Sequence, residues 1–199
     1  LATEPMSYQS KNIAIFASGN GTNAENLITY FQKNSVGKVV AVLTNRQDAG
    51  IIQRAEKLNI PCKIFDKAQF YQSEEILHYL KNLHIDWIVL AGFLWKIPTE
   101  IIRTFPRHIV NIHPALLPGF GGKGMYGKHV HEAVIRSGEK ESGITIHLVN
   151  EQYDQGEIIF QSKLTIEKNE TPETLAEKIH QLEYNYFPVI MKQLILKDI

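Results

Sequence analysis

Unbroken apolar runs alternate along this chain with stretches in which apolar residues return every three or four positions. The runs within residues 11–16 (Ile13-Ala14-Ile15-Phe16), 38–44 (Val39-Val40-Ala41-Val42-Leu43), 61–65, 86–91 and 108–112 read as buried strands. Residues 23–34, 50–59, 73–83 and 99–105 read as helices. The period is plainest at Ile76, Leu77, Leu80 and Leu83, which share one helical face. A helix is predicted over 128–137, then strands over 144–149, which alternates clearly, and 158–166, which alternates less cleanly. Thr171-Pro172 supplies an N-cap and a first-turn proline for a last helix to about Leu196, with Pro188 expected to kink or break it.

Strands that alternate with helices give an α/β fold: a single doubly wound, mainly parallel sheet with helices on both faces. The last two strands are joined by the short link 150–157, so the sheet is expected to be mixed at its C-terminal end. No repeat, linker or low-complexity segment interrupts the pattern, which predicts one domain over 1–199. Its polar opening, residues 1–11, is expected to be flexible, with Leu1 to Pro5 foreign to the natural chain and Met6 its start.

Composition narrows the classes of function. Twenty-one basic and 21 acidic residues cancel, so there is no electrostatic footprint for nucleic acid or an anionic membrane. No apolar run has the roughly 18 residues of a membrane span, and no signal peptide is evident. The single cysteine, Cys62, allows neither an intrachain disulfide nor a cysteine zinc site and reads as a small buried hydrophobe. A cytoplasmic protein is expected.

Two loops stand out, each after a strand, where open α/β sheets bind ligands. In the first, Gly19-Asn20-Gly21-Thr22-Asn23-Ala24 leads into a helix. Glycines let successive N–H groups face one anion, and a helix N-terminus favours phosphate. Gly21 is read as bare because a side chain there would enter the crevice. The spacing also satisfies the Gly-x-Gly-x-x-Ala dinucleotide fingerprint. The second strand, however, ends in Thr44-Asn45-Arg46, without the carboxylate a ribose would need, which weakens a nicotinamide enzyme. The second loop, 113–127, holds Gly119, Gly121, Gly122, Gly124 and Gly127; loops of that length are functional or disordered.

Asn111 and His113 flank Ile112 at a strand end, and alternate strand residues share a face. Pro114 keeps His113 extended. An amide beside an imidazole can donate to an oxygen that becomes negative during acyl transfer. Asp154, in Asp154-Gln155-Gly156, is the carboxylate best placed by chain order to hold that imidazole charged. On these residues alone a catalytic group and a hydrogen-bonded core histidine with a turn aspartate both stay open. His129 and His131, two apart on a helix, do not make a metal pair, although His129 could line the long loop. His147 reads as structural. No metal site is evident.

Four segments carry a resemblance: Ser18-Gly19-Asn20-Gly21-Thr22-Asn23, Leu90-Ala91-Gly92-Phe93, Asn111-Ile112-His113-Pro114-Ala115-Leu116-Leu117-Pro118 and Asp154-Gln155-Gly156-Glu157-Ile158-Ile159. In order and spacing, over roughly residues 12–196, the chain resembles the folate-dependent formyltransferases that act on glycinamide ribonucleotide in purine biosynthesis. The resemblance implies a Rossmann-like formyltransferase fold. It also implies transfer of the formyl group of 10-formyltetrahydrofolate to the amine of glycinamide ribonucleotide, without a metal, by a monomer or homodimer. Gly21, Thr22 and Asn23 would bind the substrate phosphate and Glu183 its ribose. Leu94, Trp95, Lys96, Ile97 and Asn111 would border the folate. Asn111 and protonated His113 would stabilise the oxyanion, with Asp154 keeping His113 charged and relaying protons.

The chain departs from that pattern in places. Leu94-Trp95-Lys96 stands where Met-Arg is usual, Ala115 replaces a serine, Ser73 stands roughly where the family has an arginine near the folate tail, so that contact is expected to be lost, and the alignment of Gly127 and His129 is provisional. The rivals are a formyltetrahydrofolate deformylase, expected to carry an extra N-terminal domain, a methionyl-tRNA formyltransferase, expected to carry a basic C-terminal one, and a non-catalytic phosphosugar-binding protein.

Overall fold

In strand β1 (Lys11–Phe16) Ile13 and Ile15 enter one core and Ala14 and Phe16 the other. The same division continues through β2 (Gly37–Thr44), β4 (Trp87–Leu90) and β5 (Ile109–His113). Such strands are buried on both faces, which is why they read as unbroken apolar runs. Between Ile13 and Ala14 the register on β2 jumps from Val39 to Ala41, so Val40 is the extra residue of a bulge. The structure, a computed structural model, describes residues 9–197. The proposed start at Met6, and the opening segment up to residue 8, lie outside the described residues; Lys11, expected in the flexible part, already begins β1.

The sheet has seven strands in the order β3-β2-β1-β4-β5-β6-β7. Strands β1 to β5, with β3 (Cys62–Ile64), are parallel; β6 (Glu141–Leu148) and β7 (Ile158–Thr165) add antiparallel pairs. Helices α1 (Thr22–Gln32), α2 (Ile51–Lys57), α6 (Lys128–Ser137) and α7 (Pro172–Lys197) bury residues in the Ile13 core. Helices α3 (Lys67–Tyr71), α4 (Glu75–Asn82) and α5 (Thr99–Thr104) bury theirs in the Phe16 core. A helix as short as α2 is not stable alone. Its fully buried Ile51, worth about 1.5–3 kcal/mol relative to exposure, anchors it to the sheet.

Three elements differ from expectation. Helix α3 was not expected; only Phe70 of it is buried, so it has no apolar stripe, and it is held instead by a capping box between Asp66 and Gln69. Strand β6 begins at Glu141, ahead of its apolar part, because Glu141 to Gly143 pair with Thr165 to Lys163. Helix α7 is not broken at Pro188. The carbonyl that proline leaves without an intrahelical donor is that of Tyr184, and it accepts from Asn26 Nδ2 on α1 at 3.0 Å.

Candidate active site

Strand order reverses between β1 and β4, and the chain there opens a cleft of about 700 Å³. Loops after β1, β4 and β5, the turn between β6 and β7, and one face of α7 line it.

The loop after β1 turns at Gly21, which has φ +77° and precedes α1. A Cβ there would lie 2.6 Å from Ile51 Cβ. The expected reason for this glycine is therefore corrected: its bare side meets α2 rather than the crevice. Thr22 and Asn23 open α1 and line the cleft. Asn23 Nδ2 donates to Glu183 Oε2 at 2.8 Å, which brings two residues from opposite ends of the chain together. Glu183 is 6% exposed, and burial pushes its carboxyl up to about 7 against the lowering effect of Asn23. Among the described residues the buried Oδ1 of Asn23 has no partner, leaving an acceptor in the cleft wall for a ligand.

The segment after β4 forms another wall. Leu94, Trp95, Lys96 and Ile97 all line the cleft. Trp95 packs on Phe65, Phe70 and Tyr71, with ring centres 5.9–6.0 Å apart, and Tyr71 donates its hydroxyl to the Lys96 carbonyl at 2.8 Å. Ile97, 3% exposed, reaches the core as well as the cleft. Leu94 N–H donates to Ser18 Oγ at 3.0 Å, tying this wall to the glycine loop. Ser73, by contrast, lies away from the cleft wall and bonds Gln69 O and Glu75 N–H at the start of α4. Ala115 is fully buried, and its carbonyl accepts from Thr145 Oγ1.

At the centre are Asn111, His113 and Asp154. His113 is 3% exposed; its Nε2 lies 2.7 Å from the Phe120 carbonyl, which can only accept, so Nε2 carries the proton. Nδ1 faces Asp154 Oδ2 at 3.7 Å. The same Oδ2 accepts the Gly122 N–H at 2.8 Å, and Oδ1 lies 3.5 Å from His147 Nε2. Thus the long glycine loop folds back onto the histidine and its carboxylate. Phe120 and Asp154 both have positive φ, +55° and +52°, unusual for residues other than glycine. Burial lowers the His113 imidazole, and nearby His147 adds to that; the Asp154 charge and the Phe120 carbonyl oppose it without prevailing. The expected standing cation is therefore corrected to an imidazole held below its ordinary range. Burial raises the Asp154 carboxyl, but the nearby His147, the Gly122 N–H and His113 carry it below its usual range.

His147 belongs to this centre, contrary to its reading as a structural strand residue. It sits opposite Asn111 across the β5–β6 pair, and the two side chains meet at 3.0 Å. Its Nδ1, 2.9 Å from the Leu148 carbonyl, holds a proton, so in the neutral ring Nε2 accepts from Asn111 Nδ2. Alternation over 144–149 put His147 on one face with Thr145, but nothing in sequence gave the register against Asn111. His131, on α6, is 3% exposed at the cleft wall, its Nδ1 without a partner among the described residues. Burial first, then His180 and His113, lowers it to about 4. Gly127 lines the cleft, whereas His129 lies outside it, beside Glu132 and Tyr126. Cys62 is half-buried with its thiol raised by burial. Among the described residues, no group of His, Cys, Asp or Glu could hold a metal ion, and no helix is long and apolar enough to cross a membrane.

The formyl transferase family model matches residues 11–191. The phosphoribosylglycinamide formyltransferase of Bacillus subtilis is 36% identical over 192 residues, covering 93% of this chain and 95% of that one. The chloroplastic phosphoribosylglycinamide formyltransferase of Arabidopsis thaliana is 43% identical over 183 residues, 89% of this chain. The chain spans 63% of the length of that relative and 61% of a similar protein from Vigna unguiculata. Among solved structures, the phosphoribosylglycinamide formyltransferase of Bacillus halodurans superposes with a TM-score of 0.85 at 36% identity, over 95% of this chain and 97% of that one. With the family model spanning nearly all of its length, and relatives of that one name in bacteria and plants, the chain belongs to the formyl transferase family.

Proposed function

We propose that the protein transfers the formyl group of 10-formyltetrahydrofolate to the amine of glycinamide ribonucleotide, releasing tetrahydrofolate. The observation that carries this reading is the convergence of Asn111, His113, His147 and Asp154 between two unlike walls of one cleft. One wall, with Gly21, Thr22, Asn23 and Glu183, suits a phosphorylated ribose. The other, with Leu94, Trp95, Lys96, Ile97 and the edge of Asn111, suits a flat aromatic ring system.

The chemistry follows from those positions. The substrate amine adds to the formyl carbon; a C–N bond forms and the carbonyl pair moves to oxygen. Asn111 supplies the N–H of its amide that His147 does not occupy. His113 Nδ1, facing Asp154, takes the proton the amine sheds, and the carboxylate offsets the imidazolium so formed. Returned to the folate N10, directly or through water, that proton completes the leaving group as the C–N10 bond breaks. For His113 to donate to the oxyanion in addition, the Phe120 carbonyl must release Nε2–H.

Deformylation would run the same steps with water in place of the amine, so the acceptor decides between them. The test follows folate absorbance with formylated folate, with and without glycinamide ribonucleotide. Turnover only with the ribonucleotide supports transfer; equal turnover without it replaces transfer by hydrolysis. On its one unpaired cysteine we place the reaction in the cytoplasm. The two plant relatives are named as chloroplastic, and fractionation of source cells separates the two locations.

A further inference from the structure

Behind the glycine loop stands Arg54, on α2 and outside the cleft wall. Its Nε donates to the Asn20 carbonyl at 2.7 Å and its Nη2 to Asn20 Oδ1 at 3.2 Å, while Nη1 pairs with Glu25. The neighbouring carbonyls are held in the same way: Gly19 O accepts from Ile51 N–H at 3.2 Å, and Gly21 O from Glu25 N–H at 2.9 Å. A trans peptide points its N–H opposite to its C=O. With three successive carbonyls turned onto α2 and α1, the N–H groups of Asn20, Gly21 and Thr22 turn the other way, toward the cleft those residues line. Two of the three carbonyls are fixed by backbone donors inside or against a helix. The third, that of Asn20, is fixed among the described residues only by the Arg54 side chain.

Charge adds a second effect. Glu25 puts a carboxylate in the first turn of α1, the helix whose opening residues Thr22 and Asn23 line the cleft. Arg54 neutralises it from behind the loop. Unpaired, that carboxylate would repel a phosphate.

We propose that Arg54 is a positioning residue for phosphate binding: it orients the 20–21 peptide so that its N–H meets a phosphomonoester dianion, and it masks the Glu25 charge. The inference rests on the reading of Gly21, Thr22 and Asn23 as the phosphate loop. It names a residue that touches neither phosphate nor reacting atoms.

The probe is inorganic phosphate, titrated into isotope-labelled protein while the amide resonances of Gly21 and Thr22 are followed, for the wild type, Arg54→Met and Arg54→Lys. Alongside, KM for glycinamide ribonucleotide and for the formylated folate is measured. Arg54→Met is expected to weaken phosphate binding and raise the nucleotide KM about tenfold or more, with the folate KM and kcat within about twofold. Arg54→Lys, which restores charge without the two-pronged contact, is expected to fall between. Adding Glu25→Gln to Arg54→Met is expected to recover part of the phosphate affinity. Should Arg54→Met fail to fold, Arg54→Lys carries the same comparison. Phosphate bound equally by wild type and variants overturns the role of Arg54 and leaves the phosphate loop standing. No shift of Gly21 or Thr22 in the wild type overturns both. Folate KM and nucleotide KM rising together would make Arg54 a general packing residue and contradict the proposal.

Discussion

Asp154 Oδ2 stands 3.7 Å from His113 Nδ1, close enough to raise the imidazole and too far to be a hydrogen bond. The carboxylate opposes the burial that lowers His113 and does not overcome it. Asp154→Asn removes that opposing charge, so the His113 pKa is expected to fall further. A proton-resolved NMR titration of His113 in the two proteins reads the shift. An unchanged or raised value would separate the two residues electrostatically.

Asn111 meets His147 across the β5–β6 pair and has one amide N–H to offer the reacting oxygen. Asn111→Ala is expected to slow formyl transfer by about 10²–10³-fold, with affinity for the nucleotide nearly unchanged. Steady-state kinetics check it; a rate within a few-fold of wild type would remove Asn111 from the oxyanion site.

Burial raises Glu183 from 4.5 to about 7, so across that interval the folded protein holds a proton that the unfolded chain has lost. By linkage this group lowers stability as pH rises through the window, and the loss levels off above the folded value. Glu183→Gln is expected to flatten that limb, so that its stability relative to the wild type is higher at pH about 8 than at pH about 5. Urea melts of both proteins between those values give the difference. A wild-type curve parallel to that of the variant would show that Glu183 titrates as an exposed carboxyl.

Asn26 supplies the donor that Pro188 denies to the Tyr184 carbonyl. Asn26→Ala is expected to destabilise the protein by about 1 kcal/mol, since the acceptor it leaves unpaired is only part-buried. Pro188→Ala restores a helical N–H, so in that background Asn26→Ala is expected to cost less. A double-mutant cycle from chemical denaturation measures the coupling; additive effects would mean that the carbonyl is satisfied elsewhere.

The strands and the order of their helices were legible because burial on both faces leaves an unmistakable apolar run, as at Ile13 to Phe16 and Trp87 to Leu90. Helix α3 was missed although Asp66 and Gln69 stand at capping-box spacing, because its one buried residue, Phe70, gives no period. At the site, Asn111 and His113 could be paired from strand alternation alone. What sequence lacked was cross-strand register and loop closure. Those bring His147 opposite Asn111, turn Phe120 onto His113, and set the bare side of Gly21 against Ile51. The direction in which the His113 pKa moves was not legible for a related reason: the carboxylate stands out in sequence, but the depth of burial does not.

The most direct measurement supplies folate carrying an isotope-labelled formyl carbon together with glycinamide ribonucleotide, and follows the label by mass spectrometry in wild type and His113→Ala. The label is expected on the ribonucleotide with the wild type, in step with tetrahydrofolate released, and to be almost completely lost with His113→Ala. Label appearing as free formate, or on the ribonucleotide at the wild-type rate without His113, would contradict that expectation.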